Sequence, residues 1–125
     1  MNREIKFRGK DILHKSWQYG SLAKDEPQKS YYIIDNEYGR GIDVDKETIG
    51  QYTGLHDKNG KEIYEGDVLK GTFYGFPMPE YDYVFQIYWD EKEKGFMANY
   101  FEPSECEVIG NIYDNPELLG GEDER

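Results

Sequence analysis

The sequence predicts an all-β or β-rich fold: a single small domain with a partly open, SH3-like barrel, short strands and little helix. A length of 125 residues is typical of one domain, and two independent cores would be hard to fit. Aromatic residues make up 16% of the chain and include twelve Tyr, a residue that favours strands. Seven or eight short segments with strand character are separated by Gly and Pro turns, and no three-turn helix stands out.

Three strands are predicted in the N-terminal part of the chain. Ile5–Arg8 alternates apolar and basic residues, which indicates a strand with one buried face, and Gly9–Asp11 is typical of a turn. Ser16–Leu22 is the second strand. The polar segment Lys24–Ser30 predicts a loop, and the β-branched and aromatic run Tyr31–Ile34 predicts the third strand.

The middle of the chain alternates between loops, turns and strands. Two glycines and several acids predict a loop over residues 38–47, and Thr48–Thr53 follows as a strand. Asp57–Gly60 contains Asn-Gly, which supplies the positive φ angles of a tight turn. Glu65–Asp67 is a second turn before the strand Val68–Tyr74. A Gly-Asp turn before a strand is common in small SH3-like barrels.

A hairpin is predicted in the C-terminal half. Gly75–Pro79 interrupts the strand pattern because proline cannot serve in a central ladder. Asp82–Asp90 then alternates strongly, and Phe96–Phe101 returns as its partner. Trp89 is expected in the core.

The C-terminal end combines a last strand, a short helical turn and a tail. Glu107–Tyr113 is the predicted strand, and Asn115 can cap a turn that has Pro116 at its first position. We expect the domain to cover residues 1–119. Residues 120–125 would form a charged tail.

Charge is distributed unevenly along the chain. The formal net charge is −11, from 15 basic and 26 acidic residues. Residues 1–30 carry seven basic and four acidic side chains, whereas residues 91–125 carry three basic and ten acidic ones. Such an acidic protein is repelled by nucleic-acid phosphates unless a local basic face exists, and it can bind basic protein surfaces instead.

The sequence predicts a cytoplasmic protein without membrane association. The N-terminus has no apolar signal-peptide core, and no apolar run approaches the roughly 20 residues needed to span a bilayer. Cys106 is the only cysteine, so no intramolecular disulfide can form, which fits a reducing compartment.

Two stretches carry a resemblance to a known family: Thr48–Leu55, which continues through Asp57–Val68, and Val108–Leu119. Ile5–Arg8 is also similar to the family's opening strand. They resemble the signature segments of the YopX family of phage and prophage proteins. Gly9 and Lys10 depart from the small residue and Trp that often follow the opening strand. The resemblance implies a phage or prophage origin, a bacterial host cell and a β-rich, barrel-like fold. It implies no established activity, so no catalytic residues are carried over.

The signature positions also have a physical interpretation. The glycines of the signature stand at bends, where φ must be positive or where a Cβ would clash. The aliphatic residues of the signature are core candidates. These roles favour a signature that specifies the fold. A binding surface shared by the family is the alternative.

The sequence offers little support for catalysis, and we predict a protein that is not an enzyme and has no cofactor. Asp43, Asp45 and Glu47 place three carboxylates close together, as in oxygen-rich metal loops, but the EF-hand spacing is absent. The histidines His14 and His56 lack the set of Cys, Asp or Glu neighbours that a zinc site or a proton shuttle needs. A metal-dependent enzyme is kept as an alternative to the two binding hypotheses given below. Acidic neighbours of Cys106 disfavour a thiolate.

The leading functional hypothesis is a protein-interaction module. Phe76 and Met78 alternate with Pro77 and Pro79 and, with Tyr81, form a semi-rigid segment that can dock onto a host or phage protein. The same residues can instead cover an end of the barrel. A homo-oligomer is a further expectation, because small tyrosine-rich β domains leave edge strands and aromatic patches to cover.

The alternative hypothesis is a nucleic-acid-associated β-barrel. Lys6, Arg8 and Lys10 lie near aromatic residues in the sequence, and Tyr31 offers a ring on which a base can stack. The net charge of −11 disfavours this alternative.

Overall fold

Antiparallel strands account for most of the chain that the structure describes. The computed structural model describes residues 4–73, 80–92, 95–97 and 102–119. Ten strands and two short 3-10 helices lie within these ranges, which contain no α-helix. The predicted all-β fold with short strands and little helix is therefore confirmed.

The chain divides into two units, Met1–Gly54 and Leu55–Arg125. The first unit is built from three strands and most of a fourth: β1 (Phe7–Asp11), β2 (Trp17–Asp25), β3 (Ser30–Ile34) and β4 (Gly41–His56). β2 pairs with β3, β3 pairs with β4, and β1 pairs with both β2 and β4, always antiparallel. These pairings close the four strands into a ring, in agreement with the predicted barrel-like closure.

An irregular pairing of β1 with β4 closes this ring. Arg8 lies opposite Gly50, whereas Lys10 lies opposite Asp45, so β4 carries extra residues in a bulge. The buried Thr48 stabilises the bulge, because its hydroxyl accepts the N–H of Lys10 at 2.9 Å and donates to the carbonyl of Asp45 at 2.6 Å. The bulge therefore has its own hydrogen bonds.

Two of the predicted segments in the first unit are wrong. The predicted turn Gly9–Asp11 continues β1, where Gly9 passes so close to β4 that a Cβ would lie 2.9 Å from Val44 Cγ2. The segment 38–47, predicted as a loop, is strand from Gly41 onward. Its acidic residues are exposed positions that alternate with the buried Val44.

The second unit contains a three-stranded sheet and a two-stranded hairpin. Its strands are β5 (Glu62–Tyr64), β6 (Asp67–Phe73), β7 (Tyr81–Gln86), β8 (Tyr88–Asp90), β9 (Gly95–Met97) and β10 (Glu107–Asn111). The sheet has the order β10-β6-β7, and β8 pairs with β9 from Tyr88↔Met97 to Asp90↔Gly95. The predicted return strand is confirmed as far as Met97, and residues 98–101 lie outside the described residues.

The predicted continuous strand Asp82–Asp90 is interrupted at Ile87. The Ile87 N–H donates to the carbonyl of Asp67 at 2.9 Å, and its own carbonyl accepts the N–H of Gly66 at 2.9 Å. Ile87 remains in the core of this unit, which consists of Ile63, Leu69, Phe85, Ile87 and Cys106. Trp89 is 38% exposed, so its predicted place in the core is wrong.

The predicted Asp57–Gly60 turn is confirmed and is organised by a buried carboxylate. Asp57 accepts the backbone N–H groups of Asn59 at 2.8 Å, Lys61 at 2.9 Å and Val108 at 2.9 Å. Burial alone would raise the pKa of Asp57, but these three donors hold that pKa below its usual value. The turn is thereby tied to β10.

A second turn follows β10 and uses asparagine side chains. The Asn111 side-chain oxygen accepts the N–H groups of Tyr113 at 3.0 Å and Asp114 at 2.9 Å. The backbone of Gly110 packs so closely here that a Cβ would lie 2.5 Å from Asn115 Oδ1. The 3-10 helix Pro116–Leu119 follows, as predicted from Asn115-Pro116. Within the described ranges, no helix has the length and apolarity that crossing a bilayer requires.

Candidate functional site

The basic residues of β1, and Lys6 just before it, lie against aromatic rings of the first unit. The Arg8 side chain is buried, with its guanidinium 4.6 Å from the centroid of Trp17, and Lys10 Nζ lies 5.7 Å from the same centroid. Lys6 Nζ lies 5.2 Å from the ring of Tyr52 and 3.3 Å from a carboxylate oxygen of Glu4. Cations over aromatic faces stabilise the ring of strands, and the burial of Arg8 removes its charge from the surface.

Tyr31 lies on β3 and is not part of this cluster. It pairs with Lys24 of β2 on one side and with Val44 of β4 on the other. Lys24 Nζ lies 5.5 Å from the centroid of the Tyr31 ring and forms an ion pair of 3.0 Å with Glu26. The structure thus brings Arg8 and Lys10 together at Trp17, whereas Lys6 lies against Tyr52 and Tyr31 lies on β3.

The net charge belongs entirely to the second unit. Residues 1–54 carry nine Lys and Arg side chains against nine Asp and Glu, and are neutral overall. Residues 55–125 carry six basic against seventeen acidic side chains, which gives −11. An excess of this size creates a negative potential that attracts positively charged partners and speeds their association.

Large side chains are exposed on the same acidic unit. Tyr81 is 47% exposed and Tyr88 41% exposed, and they lie at the starts of β7 and β8. Trp89 is exposed beside Tyr88, and its Nε1 donates to a carboxylate oxygen of Glu91 at 3.2 Å. Glu80, which precedes Tyr81, is exposed as well. The exposed residues Glu80, Tyr81, Tyr88, Trp89 and Glu91 lie in two places on the second unit, at the start of β7 and along β8, and we call them together the acidic aromatic surface.

Tyr81 is held in place by neighbouring rings. It contacts Tyr83 edge to face at a centroid distance of 6.4 Å, and Tyr83 stacks on the buried Phe85 at 5.7 Å. A ring fixed in this way loses little conformational entropy when a partner binds. The other two members of the predicted docking segment, Phe76 and Met78, lie outside the described residues.

The buried thiol of Cys106 and the half-buried phenol of Tyr83 are not activated for chemistry. Cys106 is 2% exposed, and burial raises the pKa of its thiol, with Glu105 adding to the effect. Burial also raises the pKa of the neighbouring Tyr83 to about 12. A thiol that stays protonated and inaccessible at neutral pH is a poor nucleophile.

The remaining chemical candidates are parts of turns and strands. His14 is exposed and lies 3.2 Å from a carboxylate oxygen of Asp11, whose pKa is lowered mainly by the backbone N–H of His14. The predicted acidic loop residues Asp43, Asp45 and Glu47 lie on β4. Across the ranges that the structure describes, no three His, Cys, Asp or Glu side chains are grouped closely enough to hold a metal ion.

Two comparisons with known proteins find similarity over most of the chain. The family model described as YopX protein matches residues 6–120. The crystal structure of protein EF1440 from Enterococcus faecalis is similar to this chain with a TM-score of 0.59 and 25% sequence identity, over 94% of this chain and 99% of that chain. A comparison with curated proteins yields no match.

Proposed function

Because the chain belongs to the YopX family, we propose that it is a phage- or prophage-encoded protein that binds a partner protein and catalyses no reaction. The partner is a host or phage protein that presents Lys and Arg side chains to the acidic second unit. Binding takes place in the cytoplasm of the bacterial host cell.

The observation that carries this proposal is the separation of charge between the units. All eleven excess negative charges fall within residues 55–125, whereas residues 1–54 are neutral. Charge that served only solubility would have no reason to be confined to one unit. A partner with a basic surface is drawn to the second unit over a distance of about one Debye length, roughly 10 Å at 0.1 M salt.

Exposed aromatic rings give this attraction a short-range component. Tyr81, Tyr88 and Trp89 are each more than one-third exposed. Glu80 directly precedes Tyr81, and Glu91 accepts the indole N–H of Trp89. Tyr and Trp rings bind Lys and Arg side chains through their faces, and Tyr and Trp are enriched among residues that dominate interface energies. Carboxylates beside such rings select for basic partners.

The raised pKa values of the Cys106 thiol and the Tyr83 phenol support a binding role over a catalytic one. The Cys106 thiol is buried and its pKa is raised, and the phenol of Tyr83 is likewise shifted away from ionisation. Catalytic groups are usually tuned in the opposite sense, toward ionisation near neutral pH. The buried carboxylate of Asp57 uses its oxygens to hold the backbone of a turn.

The proposal is tested by capturing partners from a bacterial lysate, with and without nuclease treatment, with three forms of the tagged chain. The test variant is Glu80→Gln with Glu91→Gln on the acidic aromatic surface. The control variant, Glu37→Gln with Glu47→Gln, removes the same charge from exposed positions of the neutral first unit. We expect one basic protein to be retained by the wild type and the control and to be reduced at least about threefold by the test variant.

A second pair of variants separates the aromatic contribution from the charge. Tyr88→Ala should weaken retention of the same protein, whereas Tyr38→Ala, an exposed tyrosine of the first unit, should not. Retention of an acidic partner, or equal loss with both pairs of variants, would contradict the proposal. Loss of every captured protein on nuclease treatment would favour the nucleic-acid hypothesis.

A further inference from the structure

A cleft of about 370 Å³ lies at one end of the first unit. The β1–β2 turn, the β2–β3 turn and the beginning of β4 meet there. Binding sites for small molecules typically have volumes of about 300 to 1,000 Å³, so this cleft has room for one small ligand. Its polar lining residues include Lys15, Lys29, Tyr31, Asp43, Asp45 and Lys46.

Three lysines from separate parts of the chain line this cleft, together with two aspartates. Lys15, Lys29 and Lys46 are exposed, and none lies within 4.0 Å of a carboxylate oxygen of the described residues. Other cations of the same unit are paired, as in the 3.6 Å contact of Arg40 with Asp35. Like charges that line one cleft repel each other, and a bound anion relieves this repulsion.

The backbone at two of these lysines is unusual. Lys15 has a φ of 60° and Lys29 a φ of 56°, and they are the two non-glycine residues with positive φ in the described part of the chain. Glycine and asparagine are the residues that adopt this conformation most readily. Each turn therefore carries a lysine where glycine would be less strained, and both lysines line the same cleft.

The other lining groups fit different parts of a nucleotide. The half-buried ring of Tyr31 gives an aromatic surface, and bases stack on such rings. Asp43 and Asp45 contribute carboxylates, which accept hydrogen bonds from sugar hydroxyls or base amino groups. Lysine ammonium groups bind phosphate as point charges.

We propose that this cleft binds a single free nucleotide, with the phosphate against Lys15, Lys29 and Lys46, the base against Tyr31, and hydroxyl groups toward Asp43 and Asp45. A nucleotide inside a nucleic-acid strand is disfavoured, because the chain carries a net charge of −11 and repels a polyanion. The cleft lies in the first unit and is independent of the acidic aromatic surface.

The test is a titration of the isotope-labelled full chain followed by amide chemical shifts. The four nucleoside monophosphates, adenosine without phosphate, inorganic phosphate and a thymidine octamer are added separately. We expect a monophosphate to shift amides in the two turns and at the start of β4, and to bind more tightly than adenosine or phosphate alone. Lys15→Gln, Lys29→Gln and Lys46→Gln should each weaken binding about three- to tenfold.

Lys70→Gln is the matched control, because it removes the same charge from the second unit, where Lys70 lies 3.9 Å from a carboxylate oxygen of Asp82. Binding by this variant should equal that of the wild type, and the spectrum of each variant reports whether it is folded. The absence of shifts around the cleft with all four monophosphates would overturn the proposal. So would equal weakening by Lys70→Gln, or binding of the octamer alone.

Discussion

Replacing Asp57 by Asn should lower the stability of the second unit without changing partner binding. The Asp57 side chain is 5% exposed, and its two oxygens accept three backbone N–H groups. Asparagine keeps one acceptor oxygen and turns an NH₂ group toward at least one of these donors. Losing one charge-assisted hydrogen bond and leaving a buried donor unsatisfied costs about 2 to 3 kcal/mol.

Urea unfolding measures this loss. In a Trp17→Phe background, the fluorescence of Trp89 reports on the second unit alone, since the chain has two tryptophans. With an m value of about 1.5 kcal/mol/M, the midpoint should fall by about 1.5 M urea. Lys58→Gln, at an exposed position of the same turn, is the control and should leave the midpoint unchanged.

The effect should also depend on pH in a defined direction. The pKa of Asp57 is lower in the folded state than its usual value, so its carboxylate stabilises the fold above about pH 4 and loses this contribution as the pH falls through the folded pKa. The difference between wild type and Asp57→Asn should therefore shrink in acid. An unfolding midpoint equal to that of the control at neutral pH would refute this account of the turn. If the folded variant lost partner binding, the result would favour the alternative interpretation of the family signature, a binding surface shared by the family.

Three further predictions concern other particular positions. Because Lys15 and Lys29 have positive φ, Lys15→Gly and Lys29→Gly should each remove about 1 kcal/mol of backbone strain. Calorimetry should show a melting temperature raised by about 4 °C, and a lower melting temperature would contradict the strain argument. Gly110→Ala should cost about 1 to 3 kcal/mol in urea unfolding because its Cβ has no space, whereas Gly41→Ala, whose Cβ meets nothing closer than 3.4 Å, should be nearly neutral. Cys106 should react with a thiol reagent only slowly in the folded chain and rapidly in urea, and equal rates would show that the thiol is not buried as described.

Segments whose signal lies within a few residues were predictable from the sequence. The Asn-Gly turn after Asp57 and the strand that contains Tyr31 follow from local preferences, and both are present. The alternation of Ile42 and Val44 with acidic residues was a usable strand signal, although two glycines nearby favoured a loop. Gly9 belongs to a strand for a non-local reason, the close approach of β4.

Features that depend on distant contacts were not accessible. Trp89 continues the alternation of β7 in the sequence, but hydrogen bonds between Ile87 and the Gly66–Asp67 turn interrupt the strand and leave the indole exposed. The cleft of the first unit was not predicted, because its lysines are far apart in sequence and approach one another only where two hairpin turns lie near β4. The basic residues of β1 are close together in sequence, but Arg8 is buried against Trp17.

The most direct test of the proposed function is the ionic-strength dependence of binding to the captured partner, purified and free of nucleic acid. The dissociation constant is measured for the wild type and for Glu80→Gln with Glu91→Gln from about 0.05 M to about 0.5 M NaCl. The proposal predicts that the wild-type constant rises by about tenfold or more, and that the variant shows a weaker dependence. A dissociation constant that is indifferent to salt in both proteins would contradict an electrostatic partner surface on the second unit.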